Sequence, residues 1–220
     1  LPVSQFTFTA DEFRERVAHR FEMRAQQLAE TAGDHALNPD YAEHVKTREF
    51  KDAAILFALV EGEPHPTVLL TQRSDKLNNH SGQIAFPGGR IDEGETPIEA
   101  ALREADEEVG LPASSVEVLG AMGPYFSGSG YKIHPVVGVV RDLPELTINE
   151  AEVADVFHVP LAFLMDQASH EIESRFFKGN ERFFYAMPYR DTAVAPAVER
   201  RIWGVTAGII RVIQERLYGE

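Results

Sequence analysis

Cysteine is absent from the 220 residues. A disulfide framework and any Cys-ligated metal are therefore excluded. The composition suits a reducing compartment, and a cytoplasmic protein is the expectation. Cations are scarce: 21 Lys plus Arg stand against 35 Asp plus Glu, a net charge of −14. Binding to nucleic acid needs a basic face, and so does attraction to an anionic membrane, so neither partner is expected. Long apolar runs are missing too, since none approaches the roughly 18 residues of a membrane span. The opening LPVSQFTFTADEF has neither the basic start nor the apolar middle of a secretory signal. It also has no initiator Met, so the chain is read as starting part-way into a gene product. Internal repeats and low-complexity segments are absent.

What remains is an ordinary globular chain, 44% hydrophobic and 25% charged, long enough for a substantial core. Thr9 and Glu12 form a capping-box pattern, and Phe13, Val17 and Phe21 recur at four-residue spacing with Leu28 beyond. Residues 10–32 are read as an amphipathic helix, and 33–50 as a polar connector. AAILFALV (53–60) and TVLLTQR (67–73) flank a turn-rich EGEPHP, as in a hairpin. Short strands are expected at 83–86, 116–122 and 132–140. Residues 150–165 read as a strand ending near Pro160, then a short helix. EIESRFF and ERFFYAMPY flank Lys178-Gly179-Asn180 as a second hairpin. Apolar residues 202, 205, 209, 213 and 217 place a closing amphipathic helix over 201–217, with Trp203 read as core. The expected class is α/β of the α+β type: a mixed, mostly antiparallel sheet sandwiched between helices. An N-terminal helix and connector (1–50) precede the main domain (51–220).

The stretch READEEVG (103–110) raises the sharpest question. Thr96-Pro97-Ile98-Glu99 marks a helix start, and Gly110 marks its end. Ile98, Ala101, Leu102, Ala105 and Val109 share one face. Glu104, Glu107 and Glu108 therefore cluster near the C-terminus, beside that stripe. Acids there cost on the order of 0.3–1 kcal/mol each, and each like-charged neighbour adds roughly 0.2–0.5 kcal/mol. A bound cation reverses the sign. Carboxylates without Cys or His suit Mg²⁺ or Mn²⁺ rather than Zn²⁺. The plainer reading is a solvated acidic face.

The context favours the first reading. In GGRIDEGETPIEAALREADEEVGL (88–111), five residues separate Gly89 from Glu95, and seven more lead to Arg103-Glu104. Glu107-Glu108, Gly110 and Leu111 follow. This resembles the Nudix box, with Ala105 smaller than the usual aliphatic residue. The resemblance implies a Nudix fold and a hydrolase of nucleoside diphosphates linked to a further group. It implies that Glu104, Glu107 and Glu108 bind Mg²⁺ or Mn²⁺, with the Gly88 carbonyl as a further ligand and one Glu as a base for water. Arg103 would orient a neighbouring Glu, and Glu95 would tie loop to helix; an ordinary surface ion pair is the alternative for both. Glu152, in INEAEVADVF, stands where many Nudix proteins carry a further active-site acid, the alternative being a polar strand edge.

Upstream, LLTQRSDKLNNHSGQIAFPGG (69–89) resembles the signature of coenzyme A pyrophosphatases. Leu69 to Ser74, Gly82 and Phe86 to Gly89 match it. Position 78 departs from it, being Asn where the signature has Arg; Lys76, Arg73 or Arg90 are candidates to replace that charge. Arg73, Ser74, Ser81, Gly82 and Arg90 are the expected substrate contacts, with turn-capping as the alternative for the two serines. The expected substrate is a coenzyme A-like nucleotide, cleaved to adenosine 3′,5′-bisphosphate and 4′-phosphopantetheine or its acyl form. ADP-ribose or another nucleoside diphosphate derivative is second, and a non-catalytic binding module third. The N-terminal helix is free to pack on its own core or on a second copy, so a homodimer is open.

Overall fold

A computed structural model of the chain describes residues 6–24, 32–62, 64–75, 82–177 and 179–219. Helix α1 (Ala10–Arg24) is followed by strand β1 (Ala32–Gly33), helix α2 (Ala42–Thr47) and strands β2 (Lys51–Val60) and β3 (Thr67–Arg73). Strands β4 (Ile84–Ala85) and β5 (Gly88–Arg90) lead into helix α3 (Pro97–Val109). Strands β6 (Glu117–Ala121), β7 (Tyr125–Phe126), β8 (Tyr131–Val140) and β9 (Val153–Pro160) come next, then helix α4 (Leu161–Met165). Strands β10 (Glu171–Phe177), β11 (Asn180–Asp191) and β12 (Val198–Trp203) and helix α5 (Val205–Tyr218) complete the described chain.

Strands β1 to β9 form one mixed sheet, and β10, β11 and β12 form a second, antiparallel one. The middle of the first sheet is the parallel pair β2–β8, in register from Lys51↔Tyr131 to Val60↔Val140. Most of β2 is apolar on both faces because both are covered, as parallel strands require. Ala54, Leu56 and Ala58 pack under α3 with Ala101, Ala105 and Val109. Phe57 and Leu59 pack on the other side with Phe13 and Val17 of α1 and Ile209 and Ile213 of α5. The result is helix, sheet, helices.

Three expectations from the sequence are corrected, and one, the hairpin of β2 and β3, holds only next to its turn. The first helix is described over Ala10–Arg24, and Ala32–Gly33, expected to close or follow it, form a parallel strand against Tyr125–Phe126; residues 25–31, with Leu28, lie outside the described residues. The connector carries structure, since two 3₁₀ turns (Asp34–Ala36 and Pro39–Tyr41) and α2 lie within it. Strands β2 and β3 meet only at Leu59↔Val68 and Val60↔Thr67. Beyond that point β5 takes the edge of β2 at Ala53–Ile55, and β9 runs alongside β3. The closing helix begins at Val205, because Gly204 at φ 64° breaks the chain direction. Residues 201–203 belong to β12, from which Ile202 enters the core, and Trp203 is only partly buried, against Phe184.

One buried cation ties the two sheets together. Arg200 of β12 donates to Asp191 of β11 at 3.3 and 3.4 Å and to Gln72 of β3 at 3.2 Å, and pairs with Asp155 of β9 at 2.7 Å. Its guanidinium also lies 4.1 Å from the Phe157 ring centre. The Asp191 side chain is 2% exposed, so removing its partner strands a charge. Arg200→Met should lower unfolding stability by about 3–5 kcal/mol. Arg200→Met/Asp191→Leu should recover much of that loss, read from urea midpoints of the three proteins.

Candidate active site

Helix α3 starts as its sequence dictates. The Thr96 hydroxyl accepts from the Glu99 amide while the Glu99 carboxylate accepts from the Thr96 amide, and Pro97 occupies the first position. Its acidic end is satisfied by a neighbouring loop. Thr147 N–H donates to Val109 O at 3.0 Å and Asn149 N–H to Glu108 O at 2.9 Å. Gly110, at φ 69°, closes the helix by donating to Asp106 O at 2.8 Å. The carbonyls that would repel the acids are thus already hydrogen-bonded, which weakens the helix-end penalty.

The three box glutamates do not form one solvated patch. Glu108 turns onto the buried face, its side chain 4% exposed, whereas that of Glu107 is 57% exposed. Glu108 accepts from the Gly88 amide at 3.2 Å and lies 3.9 Å from an Arg73 guanidinium nitrogen. Burial pushes its carboxyl up to about 7; the Gly88 hydrogen bond and Arg73 oppose this, and Glu104 and Glu152 add to it. Burial also raises Glu104, against the pull of Arg103, with Glu107 and Glu152 adding to the rise.

Close approach requires Gly88 of β5, and Gly89 makes room for a helix side chain. A Cβ on Gly88 would run into the Ala54 carbonyl and come within 2.7 Å of Ile55 Cα. A Cβ on Gly89 would collide with the Glu104 carboxylate. Gly88 thus lets β5 lie close on β2, while at Gly89 the Glu104 side chain takes the space a Cβ would fill.

Arg103 forms the positive centre of the helix. It grips Glu95 with two bonds, 2.8 and 3.0 Å, reaches Glu104 and Glu107 at 3.0 Å each, and donates to Arg90 O at 3.1 Å. Repulsion among the acids is therefore relieved in part within the chain. Every N–H direction of the guanidinium is engaged with protein, which leaves Arg103 as a positioning group.

Arg73 reaches the site through a register shift between Gln72 and Arg73 in the β3–β9 pair. There Ser74 N–H donates to Glu152 O at 2.8 Å, and Gly82 N–H, at φ 69°, donates to Arg73 O at 3.1 Å. The loop between Ser74 and Gly82 therefore leaves and rejoins the sheet beside Glu108. Ser74 is buried at its base. Ser81, Lys76, Asn78 and His80 lie outside the described residues. Arg90 is exposed and pairs in register with Ala53, whose side chain packs on the α1–α5 side of the sheet. Its side chain accordingly leaves the sheet on the face opposite α3, away from the acids.

The residue that sequence reasoning missed is Asn149. Its carbonyl accepts from the amides of Glu152 and Val153 at 2.9 Å each, its side-chain oxygen accepts from Ala151 N–H at 3.2 Å, and its side-chain amide meets Glu152 Oε1 at 3.3 Å. It joins the end of α3 to Glu152 and holds the loop in an Asx turn, a signal present in the local pattern Asn-Glu-Ala-Glu.

Oxygen donors suit a hard divalent ion, and Glu104 and Glu108 are both held above their ordinary proton affinity, first by burial and then by neighbouring carboxylates. These residues fit such an ion in chemistry. Among the described residues, however, no three acids or histidines are gathered closely enough to chelate one as they stand, and Arg103 sits between Glu104 and Glu107. No described helix is long and apolar enough to cross a membrane.

An acidic helix set against a glycine strand, with a guanidinium beside it, defines a site for phosphoanhydride chemistry. Residues 49–179 match the model of the NUDIX domain, and the chain belongs to the Nudix family as a pyrophosphohydrolase. It is 41% identical over 168 residues to NudL, an uncharacterized Nudix hydrolase of Escherichia coli K12, covering 76% of this chain and 82% of that one. NudL of Yersinia enterocolitica is 41% identical over 166 residues, covering 75% and 80%. Among solved structures, a C. elegans Ap4A hydrolase complex matches with a TM-score of 0.44 and 20% identity, covering 50% of this chain and 80% of that one. The NUDIX domain of Shewanella oneidensis NrtR, complexed with ADP ribose, matches with a TM-score of 0.41 and 23% identity, covering 57% and 84%. Nudix hydrolases act on small nucleotide substrates, nucleoside diphosphate derivatives among them, and generally use Mg²⁺ or Mn²⁺.

The buried carboxyl gives the metal-free protein a pH signature. Between the ordinary value of 4.5 and about 7, the folded state keeps a Glu108 proton that the unfolded chain releases. This group therefore destabilises the fold progressively as pH rises through that window, and the effect levels off above it. In EDTA, Glu108→Gln should match the parent near pH 4.5 and exceed it above pH 7, by on the order of 2–3 kcal/mol. Denaturant melts across that range measure the difference. A constant offset would place the cause elsewhere.

Proposed function

We propose that this chain hydrolyses the pyrophosphate bond of coenzyme A or its derivatives, using Mg²⁺ or Mn²⁺ held by Glu104, Glu107, Glu108 and the Gly88 carbonyl. The observation that carries the reading is the Arg73–Glu108 approach of 3.9 Å. It joins the segment resembling the coenzyme A pyrophosphatase signature to the acidic helix, so substrate phosphates held by Arg73 would lie beside the acids. Divalent ions there would neutralise the pyrophosphate and lower the pKa of a bound water.

The protein's own groups supply the rest. Arg73, Ser74, Ser81, Gly82 and Arg90 are the proposed substrate contacts. Arg73 offers charge and Gly82 shapes the loop neck; Arg90 would serve only a portion of substrate that passes to the other face. Arg103 holds Glu104 and Glu107 in place. Glu107, Glu108 and Glu152 are the carboxylates from which the base for the attacking water is drawn, and Asn149 orients Glu152. Water adds across the anhydride, one phosphate gaining the hydroxyl and the other leaving with the bridging oxygen. A second reading, ADP-ribose or another nucleoside diphosphate derivative, is favoured by Asn78 in place of the signature's Arg. A non-catalytic module is disfavoured by the intact box acids.

A panel of coenzyme A, acyl derivatives, ADP-ribose and dinucleoside polyphosphates, with products identified by mass, separates these readings. Coenzyme A should give the highest kcat/KM, and EDTA should abolish turnover until Mg²⁺ or Mn²⁺ is restored. Glu108→Gln should lose at least about 10²-fold in kcat. If the loop reads the 3′-phosphate, coenzyme A should be preferred over its 3′-dephosphorylated form. Arg73→Ala should then erode that preference, and Asn78→Arg should keep or raise activity. Equal kcat/KM for the two forms, or a faster reaction with ADP-ribose, would overturn the coenzyme A assignment.

A further inference from the structure

Strand β10 is an edge: it pairs with β11 and with no other described strand. An open edge is a template for another strand, and proteins usually blunt it with charge, brevity or cover. One face of this edge is apolar and exposed. Ile172 is 58% exposed and Phe176 74% exposed. They share a face with Phe183 of β11, which is also exposed and pairs in register with Ser174. On the opposite face Arg175 lies directly across from Arg182, an arrangement that destabilises a sheet unless a counter-charge is near. Arg182 has Asp40 at 2.8 Å. Arg175 makes no ion pair with any described residue.

We propose that β10 pairs antiparallel with β10 of a second copy of this chain, about a two-fold axis through Ser174, joining the two three-stranded sheets into one of six strands. In that register Ile172 faces the partner's Phe176, and Glu173 faces the partner's Arg175. Symmetry repeats each relation, so one segment supplies both halves of a self-complementary surface. The neighbouring registers fail on charge. An axis through Glu173 sets it against the partner's Glu173, and an axis through Arg175 sets it against the partner's Arg175. Only the Ser174 axis among these three pairs unlike charges and apolar side chains together. Glu173 also pairs with Arg201 of its own chain across β11, and would share its carboxylate between Arg201 and the partner's Arg175. The partner's Glu173 would supply Arg175 with a counter-charge that no described residue of its own chain gives it.

Light scattering and sedimentation of the full chain over a dilution series test the pairing. The parent should run at twice its 24.5 kDa and dissociate on dilution. Arg175→Glu sets two like charges opposite each other at both ends of the axis, and should weaken the dimer at least tenfold. Glu173→Arg should do the same. The exchange Glu173→Arg/Arg175→Glu should restore the dimer, which separates lost pairing from lost folding. A parent that stays monomeric throughout, a dimer indifferent to Arg175→Glu, or an exchange variant that stays monomeric would each overturn the proposal.

Discussion

The contact between α3 and β5 is the constraint on which the site depends. Two carboxylates of the helix lie against a strand that has no side chains at the two positions concerned, Gly88 and Gly89. A larger residue at Gly88 would push β5 away from β2, and one at Gly89 would displace the Glu104 carboxylate. A shift of β5 would take the Gly88 donor away from Glu108. Close packing of backbone against helix thus converts an acidic stretch into a buried, partly desolvated carboxylate set. Desolvation is what makes a bound cation valuable there, because charge interactions strengthen as water is excluded.

The loop after β8 acts on both sides of this contact. Thr147 and Asn149 hydrogen-bond the last carbonyls of α3, and Asn149 then turns Glu152 toward the same carboxylates. Stability of the helix end and placement of Glu152 come from one segment. On the opposite face of the sheet, Arg200 fastens the second sheet to Gln72, the residue just before the shift that aims Arg73 at Glu108. The second sheet is therefore anchored within one residue of the site while leaving its far edge, β10, open.

Much of this was legible in the chain. The capping box at Thr96 and Glu99, the left-handed stop at Gly110 and the Gly-to-Glu spacing of the acidic helix are local signals, read over a few residues. The strands at 67–73 and 132–140 showed in their β-branched, apolar runs. Other features depended on distant segments. The partial separation of β2 from β3 follows from β5 and β9 competing for their edges. The small strand at Ala32–Gly33 depends on Tyr125–Phe126. Trp203 and Ile202 fit a helical period, and only the break at Gly204 reassigns them to a strand.

By itself the sequence determined where the acidic residues lie along one helix, where that helix starts and stops, and that the chain carries a Nudix box. These are matters of residue type and short-range geometry, in which hydrogen-bonding reach spans three or four positions. Tertiary structure alone decided which of the acids is buried. Glu107 and Glu108 are adjacent in the chain, yet one faces solvent beside Arg103 and the other faces Gly88 and Arg73. That division arises because successive helical residues point about 100° apart, and only the position of the sheet determines which direction is inside.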